Sequence, residues 1–388
     1  VIYLHVPFCR SFCTYCSFYS EICTRQGQEA AASKYADAVL REIQERKEEL
    51  KSNIVSPGSV DTLYIGGGTP SVLPLDVLGS LVCAIKHETG TRFSDEFTIE
   101  VNPEDIIEKG DEYVAGLLAL GASRISMGVQ SFDDGILRWM NRRHGAEQAR
   151  TAYKTIRKTA LAAGKEISVS IDLIFGLTQL EDNVWQDTIS QAMALGKEVG
   201  LPSPEHISAY QLSIEEGSSL EKLVARGKYQ EASEELCAHQ YEILCSRLSE
   251  AGYHHYEVSN FALPGHEAVH NSAYWRRIPY VGLGPGAHSF RFQEKDGTVK
   301  EIRSWNSEGI FKIASEEETL SPEDIRVERI MLGLRTDVGL PAKALRSLAD
   351  SATIDSLMED GALEIVGENV RIPESRFFTS DEIIRELI

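Results

Sequence analysis

Cys9, Cys13 and Cys16 stand in the run Cys-Arg-Ser-Phe-Cys-Thr-Tyr-Cys, a Cys-x₃-Cys-x₂-Cys spacing on one short loop. Thiolates are soft donors, and three of them on a tight loop suit an iron–sulfur centre. A [4Fe–4S] cluster takes four ligands and the loop supplies three, which leaves one iron open to a small molecule. A zinc knuckle would add a second close cysteine pair or histidines, and the chain has no second such pair. Cys23, Cys83, Cys237 and Cys245 are scattered through helical patterns and read as free thiols, in keeping with a reducing, cytoplasmic compartment. Cys23, the nearest to the loop, is a candidate spare ligand.

The loop needs a frame. Residues 2–6 alternate, are rich in β-formers and stop at Pro7, so the cysteines follow the C-terminal end of a strand. Further strands read at 60–65, 97–101, 124–130, 167–174 and 206–210. The helical stretches between them are 29–51, 73–87, 111–120, 134–140, 146–163 and 183–196. Strands separated by such crossovers predict parallel β-α-β units. Polar residues recur where the strands end, the layout of an α/β barrel with its site on one face. The second strand runs into Gly66-Gly67-Gly68-Thr69-Pro70, which lets backbone approach a ligand closely but is also an ordinary turn signal. Beyond 215 the pattern changes: helices across 219–251, a polar stretch rich in histidine and aromatics across 253–288, helices at 322–334, 340–348 and 354–360, and a small hairpin at 363–372. Three units are expected, 1–215, 216–315 and 316–388.

With 388 residues, 42% hydrophobic and 25% charged, the chain has the composition of a soluble globule larger than one small domain. Its net charge of -20 argues against nucleic acid or an anionic membrane as partner. No stretch approaches the ~20 apolar residues of a membrane span. The cysteine loop begins so near the start that no secretory signal is expected; the chain opens at Val1 without methionine, so a few preceding residues are expected.

The cysteine loop followed by Gly-Gly-Gly-Thr-Pro resembles the radical S-adenosylmethionine (SAM) superfamily. Tyr-Leu-His-Val-Pro-Phe-Cys at 3–9 resembles its oxygen-independent coproporphyrinogen oxidase group, which includes the HemN oxidases and the HemW heme chaperones. The resemblance implies an α/β fold: a partial (β/α)6 TIM-like barrel, open on one side, with a C-terminal helical, winged-helix-like domain. It implies that SAM chelates the open iron through its amino and carboxylate groups, and that an electron from the cluster cleaves it to a 5′-deoxyadenosyl radical. Residue by residue, it puts Gly67, Gly68 and Thr69 on the methionyl group and Glu100, in Glu-Val-Asn-Pro-Glu, on the ammonium. Gln130, in Gly-Val-Gln-Ser-Phe, and Asp172 fall on the ribose. Arg142 falls on the carboxylate, with adjacent Arg143 competing, and Tyr3 and Tyr15 lie beside the cluster and adenosyl group. Taken alone, a strand-end glutamate is more often a surface charge.

Two features divide the group. The HemN oxidases resembled here carry a further cysteine two residues after the third ligand, where this chain has Phe18, a residue that ordinary core packing also explains. His270-Asn271-Ser272-Ala273-Tyr274-Trp275 resembles the His-Asn-x-x-Tyr-Trp signature of the HemW chaperones, and Gly282 to His288 resembles a glycine-rich segment of the same group. The expected function is therefore a heme chaperone that binds heme as cargo and passes it to an acceptor protein. His270, Tyr274 and Trp275 are the heme candidates, in a cleft on the open side of the barrel. Arg276 and Arg277 could meet the propionates; His254, His255, His266 and His288 are alternative iron ligands. The alternative is a radical enzyme acting on a porphyrin, an oxygen-independent coproporphyrinogen III oxidase or a methyltransferase that opens heme. SAM-cleaving potential remains, an electron donor is implied, oxidase activity is not expected, and no residue takes a separate catalytic role.

Overall fold

The computed structural model describes residues 1–54, 58–310 and 313–388. The expected 216–315 unit contains residues 311 and 312, which lie outside the described residues. Six strands run parallel in sequential order: β1 (Ile2–Val6), β2 (Thr62–Gly67), β3 (Glu96–Val101), β4 (Arg124–Gln130), β5 (Ser168–Phe175) and β6 (His206–Gln211). The helices Gln28–Glu45, Leu75–Thr89, Pro103–Leu120, Ala146–Ala162 and Asp182–Ala194 make the crossovers.

The sequence misses the edges of this sheet. Three more strands, β7 (His254–Glu257), β8 (Asn260–Ala262) and β9 (Val281–Leu283), extend it to nine in the order β9-β1-β2-β3-β4-β5-β6-β8-β7. β9 joins β1 in parallel, whereas β8 meets β6 and β7 antiparallel. Strands of three or four residues are too short to show a period of two, so 253–288 reads as irregular. The two end strands do not pair with each other, so the barrel stays open as expected.

The faces of the six-stranded run explain the site. Along β3 to β6 the residues Phe97, Ile99, Ile125, Met127, Val129, Val169, Ile171, Leu173, Ile207 and Ala209 are buried in the core. The alternate positions are polar: Thr98 and Glu100, Ser126 and Gln130, Ser170 and Asp172, His206 and Ser208. Successive side chains point to opposite faces, so the pattern puts oil against the helices and polar groups on the concave side.

Two helices depart from the expected bounds. The stretch expected at 29–51 is two helices, Gln28–Glu45 and Lys47–Ile54, broken at Arg46. The Arg46 guanidinium binds its neighbours Glu42 and Glu49 and also the Gly282 carbonyl and the Ser289 hydroxyl, the last two being long-range ties that periodicity cannot reveal. The helix expected at 111–120 begins at Pro103, since proline suits the first turn, and passes a non-helical Gly110 at φ 69°. Past the central sheet, His288–Lys295, Thr298–Asn306 and Ser315–Thr319 form an antiparallel sheet that the sequence does not foretell. The C-terminal end matches its reading more closely. Helices Pro322–Leu334, Ala342–Leu348 and Ser351–Glu359 precede the hairpin Glu364–Val366 and Asn369–Arg371, which pairs with Leu340–Pro341.

Candidate functional site

Cys9, Cys13 and Cys16 line one end of a cavity of about 560 Å³ on the concave face of the sheet. Their loop is pinned from both sides. Phe8–Cys9 pairs with Glu21–Ile22, and Cys23 N–H donates to the Cys9 carbonyl at 2.8 Å. The Thr14 N–H and hydroxyl donate to the carbonyls of Met140 and Trp139, and Asn141 donates to the Phe12 carbonyl at 2.7 Å. A cysteine loop held by its backbone leaves its thiols free to bind.

Beneath it lies the glycine segment. A Cβ on Gly68 would sit 2.9 Å from the Phe8 carbonyl and 3.1 Å from Cys9 Sγ, so only glycine lets the two loops stack this closely. Gly67, at φ 115°, would drive a Cβ into the His5 ring. Thr69 Oγ1 lies 3.6 Å from Cys9 Sγ and accepts from Asn102 Nδ2 at 3.1 Å.

Among the described residues, no three His, Cys, Asp or Glu side chains close round a point as the ligands of a single metal ion do. A four-iron cluster spreads its ligands over the corners of a cube, and three thiols along one cavity wall fit that better than they fit one zinc ion. Burial pushes the Cys16 thiol up to about 11 and raises Cys9 as well, so at neutral pH these metal-free thiols hold their protons. Cys23 is buried outside this cavity, with its thiol 3.9 Å from the Thr24 carbonyl, so the spare-ligand reading fails. Phe18 is 71% exposed on the cavity rim, so core packing does not account for it.

The remaining residues expected at SAM gather around the same space, with one exception. Glu100 accepts from Tyr64 hydroxyl at 2.7 Å and from Gly67 N–H at 3.1 Å; Asp172 accepts from Ser126 hydroxyl at 3.3 Å. Gln130 follows a register shift in β4 and adopts φ 69°, a bulge that re-aims its side chain. Arg142 donates to Cys13 Sγ at 3.3 Å, Asn102 Oδ1 at 2.7 Å and the Gly128 carbonyl at 2.7 Å, while its Nε is buried without a partner. Competing Arg143 lines the same cavity but is also paired with Glu104 and Asp105, at 3.8 and 3.9 Å. Tyr15 lines the cavity, but Tyr3 does not: its hydroxyl is 2.9 Å from His5 Nδ1 and its ring lies beside Tyr64. Tyr64 takes the place expected of Tyr3. The sequence reading also missed Asn102, Arg124, Tyr210 and Asn271, all cavity-lining. The polar alternation in β4 and β6 would have pointed to Arg124 and Tyr210.

Burial pushes the Glu100 carboxyl up to about 7, aided by the Asp172 charge and restrained by Tyr64 and Gly67. Burial likewise raises Asp172 to about 6, against the pull of Ser208, Ser126 and Arg142. For a carboxylate raised on folding, the stability contribution is fully present below the unfolded pKa and is lost as pH rises through the folded one. The ligand-free protein therefore loses stability between about pH 4 and 7 through this pair. Asp172→Asn should raise unfolding stability at pH 8 by ~1–2 kcal/mol, allowing for partial solvent access, and leave it unchanged at pH 4. Denaturant titrations at both pH values measure this; equal shifts at the two would refute it. A buried carboxyl raised in this way gains from a cationic partner, which would hold it ionised.

The His270 segment is arranged otherwise than expected. His270 is 1% exposed, with Nδ1 2.9 Å from Thr62 Oγ1 and Nε2 2.8 Å from the Tyr274 hydroxyl. Burial lowers its pKa to about 3. Both ring nitrogens are engaged, so neither it nor the Tyr274 hydroxyl is presented to a heme iron. Glu96 caps the N-terminal turn of the helix Val269–Trp275 by accepting from the Val269 and His270 N–H groups, and it is itself paired with Arg124 at 2.9 Å. Asn271 then faces the central cavity, while Trp275 faces a second one.

Residues 3–191 match the model of the radical SAM superfamily. The chain is 31% identical to the "Heme chaperone HemW" of Synechocystis sp., over 99% of this chain and 90% of that protein. It is 30% identical to the protein of the same name from Mycobacterium tuberculosis, over 100% and 94% respectively. Its fold is similar to that of coproporphyrinogen III oxidase (HemN) from Escherichia coli, with TM-score 0.75 and 19% identity over 99% of this chain and 89% of that one.

Proposed function

The chain belongs to the radical SAM superfamily, in its HemN- and HemW-like group, and from that premise we propose that it is a heme chaperone, binding heme and handing it to an acceptor protein. Membership of the superfamily implies a [4Fe–4S] cluster and SAM. The observation that carries the chaperone reading is the end-to-end kinship with proteins named HemW, which takes in the Val269–Trp275 helix as well as the cysteine loop. Exposed Phe18 adds support, standing where the oxidases resembled here have a thiol. The likeness to the HemN structure, at 19% identity, carries the fold and no reaction.

In this reading Cys9, Cys13 and Cys16 hold the cluster and Thr69 steadies Cys9. Glu100 faces the ammonium of SAM, Arg142 its carboxylate, and Gln130 and Asp172 its ribose. The cluster and SAM together supply one-electron reductive chemistry when bound. Gly67 and Gly68 bring backbone within reach of the ligand, and the buried β3–β5 wall keeps bulk water from the charged groups. Among the described residues no helix is long and apolar enough to cross a membrane. Three cysteines on the cluster and four further thiols outside it suit a reducing, cytoplasmic setting.

The test is a pair of anaerobic assays on the reconstituted protein. Heme titration should shift the Soret band and saturate at one equivalent. Incubation with SAM, a reductant and coproporphyrinogen III should give no protoporphyrinogen IX. SAM-dependent formation of that product would replace the chaperone with the oxidase.

A further inference from the structure

The floor of the central cavity holds polar groups that play no part in the proposed hold on SAM. It lies at the far end of the strands from the cysteine loop, where Arg124 opens β4 and His206 opens β6. A closed α/β barrel fills this level with branched apolar side chains. Here Thr98, Ser126, Ser170, Ser208 and Ala268 line it instead, and side chains this small leave a polar hollow beneath Asp172.

Two donor groups at this floor lack an acceptor. Arg124 is buried; its Nε donates to Glu96 at 2.9 Å and its Nη2 to the carbonyls of His266 and Glu267 at 2.7 and 3.2 Å, while Nη1 has no partner. Glu96 also accepts from the Val269 and His270 N–H groups and the Thr98 hydroxyl, so it leaves the guanidinium only partly neutralised. The second donor follows from a count of hydrogens. The Tyr256 hydroxyl accepts from Ala268 N–H at 3.3 Å and lies 2.8 Å from His206 Nε2, so its own hydrogen goes to that nitrogen. Burial, with Arg124 close by, holds the His206 pKa well below its usual value, so the ring is neutral and carries its one hydrogen on Nδ1. Nδ1 donates that hydrogen to Ser170 Oγ at 2.7 Å, and the Ser170 O–H is left without an acceptor among the described residues.

We propose that this floor is a subsite for a small planar oxyanion, a free carboxylate or bicarbonate, held by Arg124 Nη1 and the Ser170 hydroxyl. Buried donors are seldom left without acceptors, because each unmet group is costly. Water meets these two poorly, since it brings two hydrogens that need acceptors of their own. Asp172, next above on the same face of β5, already accepts from the Ser126 and Ser208 hydroxyls. A carboxylate is an acceptor only, and its bond to a guanidinium is charge-assisted. SAM, held above at Gln130 and Asp172, closes the hollow from the cysteine side, so only an ion small enough to sit beneath it fits. The inference does not depend on the chaperone reading.

The test is titration of isotope-labelled formate and bicarbonate into the full-length, reconstituted protein saturated with SAM, read as broadening of each ion's own carbon NMR line. With SAM in place the open iron is closed to the added ion. Saturable broadening is expected, and the ion that binds more tightly identifies the source. Ser170→Ala should weaken binding roughly ten-fold, the effect of one lost charge-assisted bond. Arg124→Lys, which keeps the charge and loses the fork, should weaken it as well. Because Glu96 ties Arg124 into the fold, a circular dichroism melt accompanies each variant; where Arg124→Lys does not fold, Ser170→Ala decides alone. Absence of saturable binding of both ions to the wild-type protein overturns the subsite, as does wild-type affinity in Ser170→Ala.

Discussion

Replacing Cys13 and Cys16 together with alanine is expected to reduce iron in the anaerobically reconstituted protein from about four per chain to background, with loss of the visible absorption of a [4Fe–4S] cluster. One remaining thiol, Cys9, cannot hold a cube alone. The fold should survive, because the loop is held by backbone bonds and by Thr14 and Asn141 rather than by the thiols. Cys23→Ala is the matched control: its thiol is buried away from the cavity, so iron content should stay at the wild-type level. Iron and sulfide analysis with circular dichroism on each variant decides the matter. A full cluster in the double variant would place the ligands elsewhere.

The legible parts of this chain were those with local signatures. The six parallel strands could be read because each has enough residues to show alternation and each ends in a turn or polar signal. The cysteine loop and the glycine segment were legible because their chemistry is contiguous. Sites assembled across the sequence were harder to see. Tyr64 replaces Tyr3 beside the cavity because β2, not β1, sends that aromatic to Glu100. His270 looked like a ligand because a histidine in a motif invites that reading, yet Thr62, from a strand far back in the chain, closes one of its nitrogens. The second cavity takes Trp275, Phe292, Arg329 and Leu340 from four separate elements, so no window of sequence contains it. The short strands 254–257, 260–262 and 281–283 form only because β1 and β6 offer unpaired edges, a tertiary cause without a local signal.

Arg142→Ala is expected to lower SAM affinity by about 1.5–3 kcal/mol, the scale of a charge-assisted bond. Its guanidinium already spans the site, binding Cys13 on the cluster loop, Asn102 after β3 and the Gly128 carbonyl on β4, and one buried N–H still lacks a partner. Burial alone would lower its pKa, but Tyr15, Cys13 and Glu104 outweigh it, so the group stays cationic. Gly128 makes the arrangement possible, since a Cβ there would stand 2.9 Å from Gln130 Nε2 and 3.3 Å from Arg142 Nη2. Arg142→Lys should recover only part of the affinity, since an ammonium keeps the charge and loses the fork. Arg143→Ala should change it by no more than the few tenths of a kcal/mol of a loose, partly exposed ion pair. Calorimetric titration of SAM into the three reconstituted variants orders them. If Arg143→Ala lost affinity while Arg142→Ala kept it, the carboxylate would belong to Arg143, and Arg142 would be only the strut that ties the cysteine loop to the sheet.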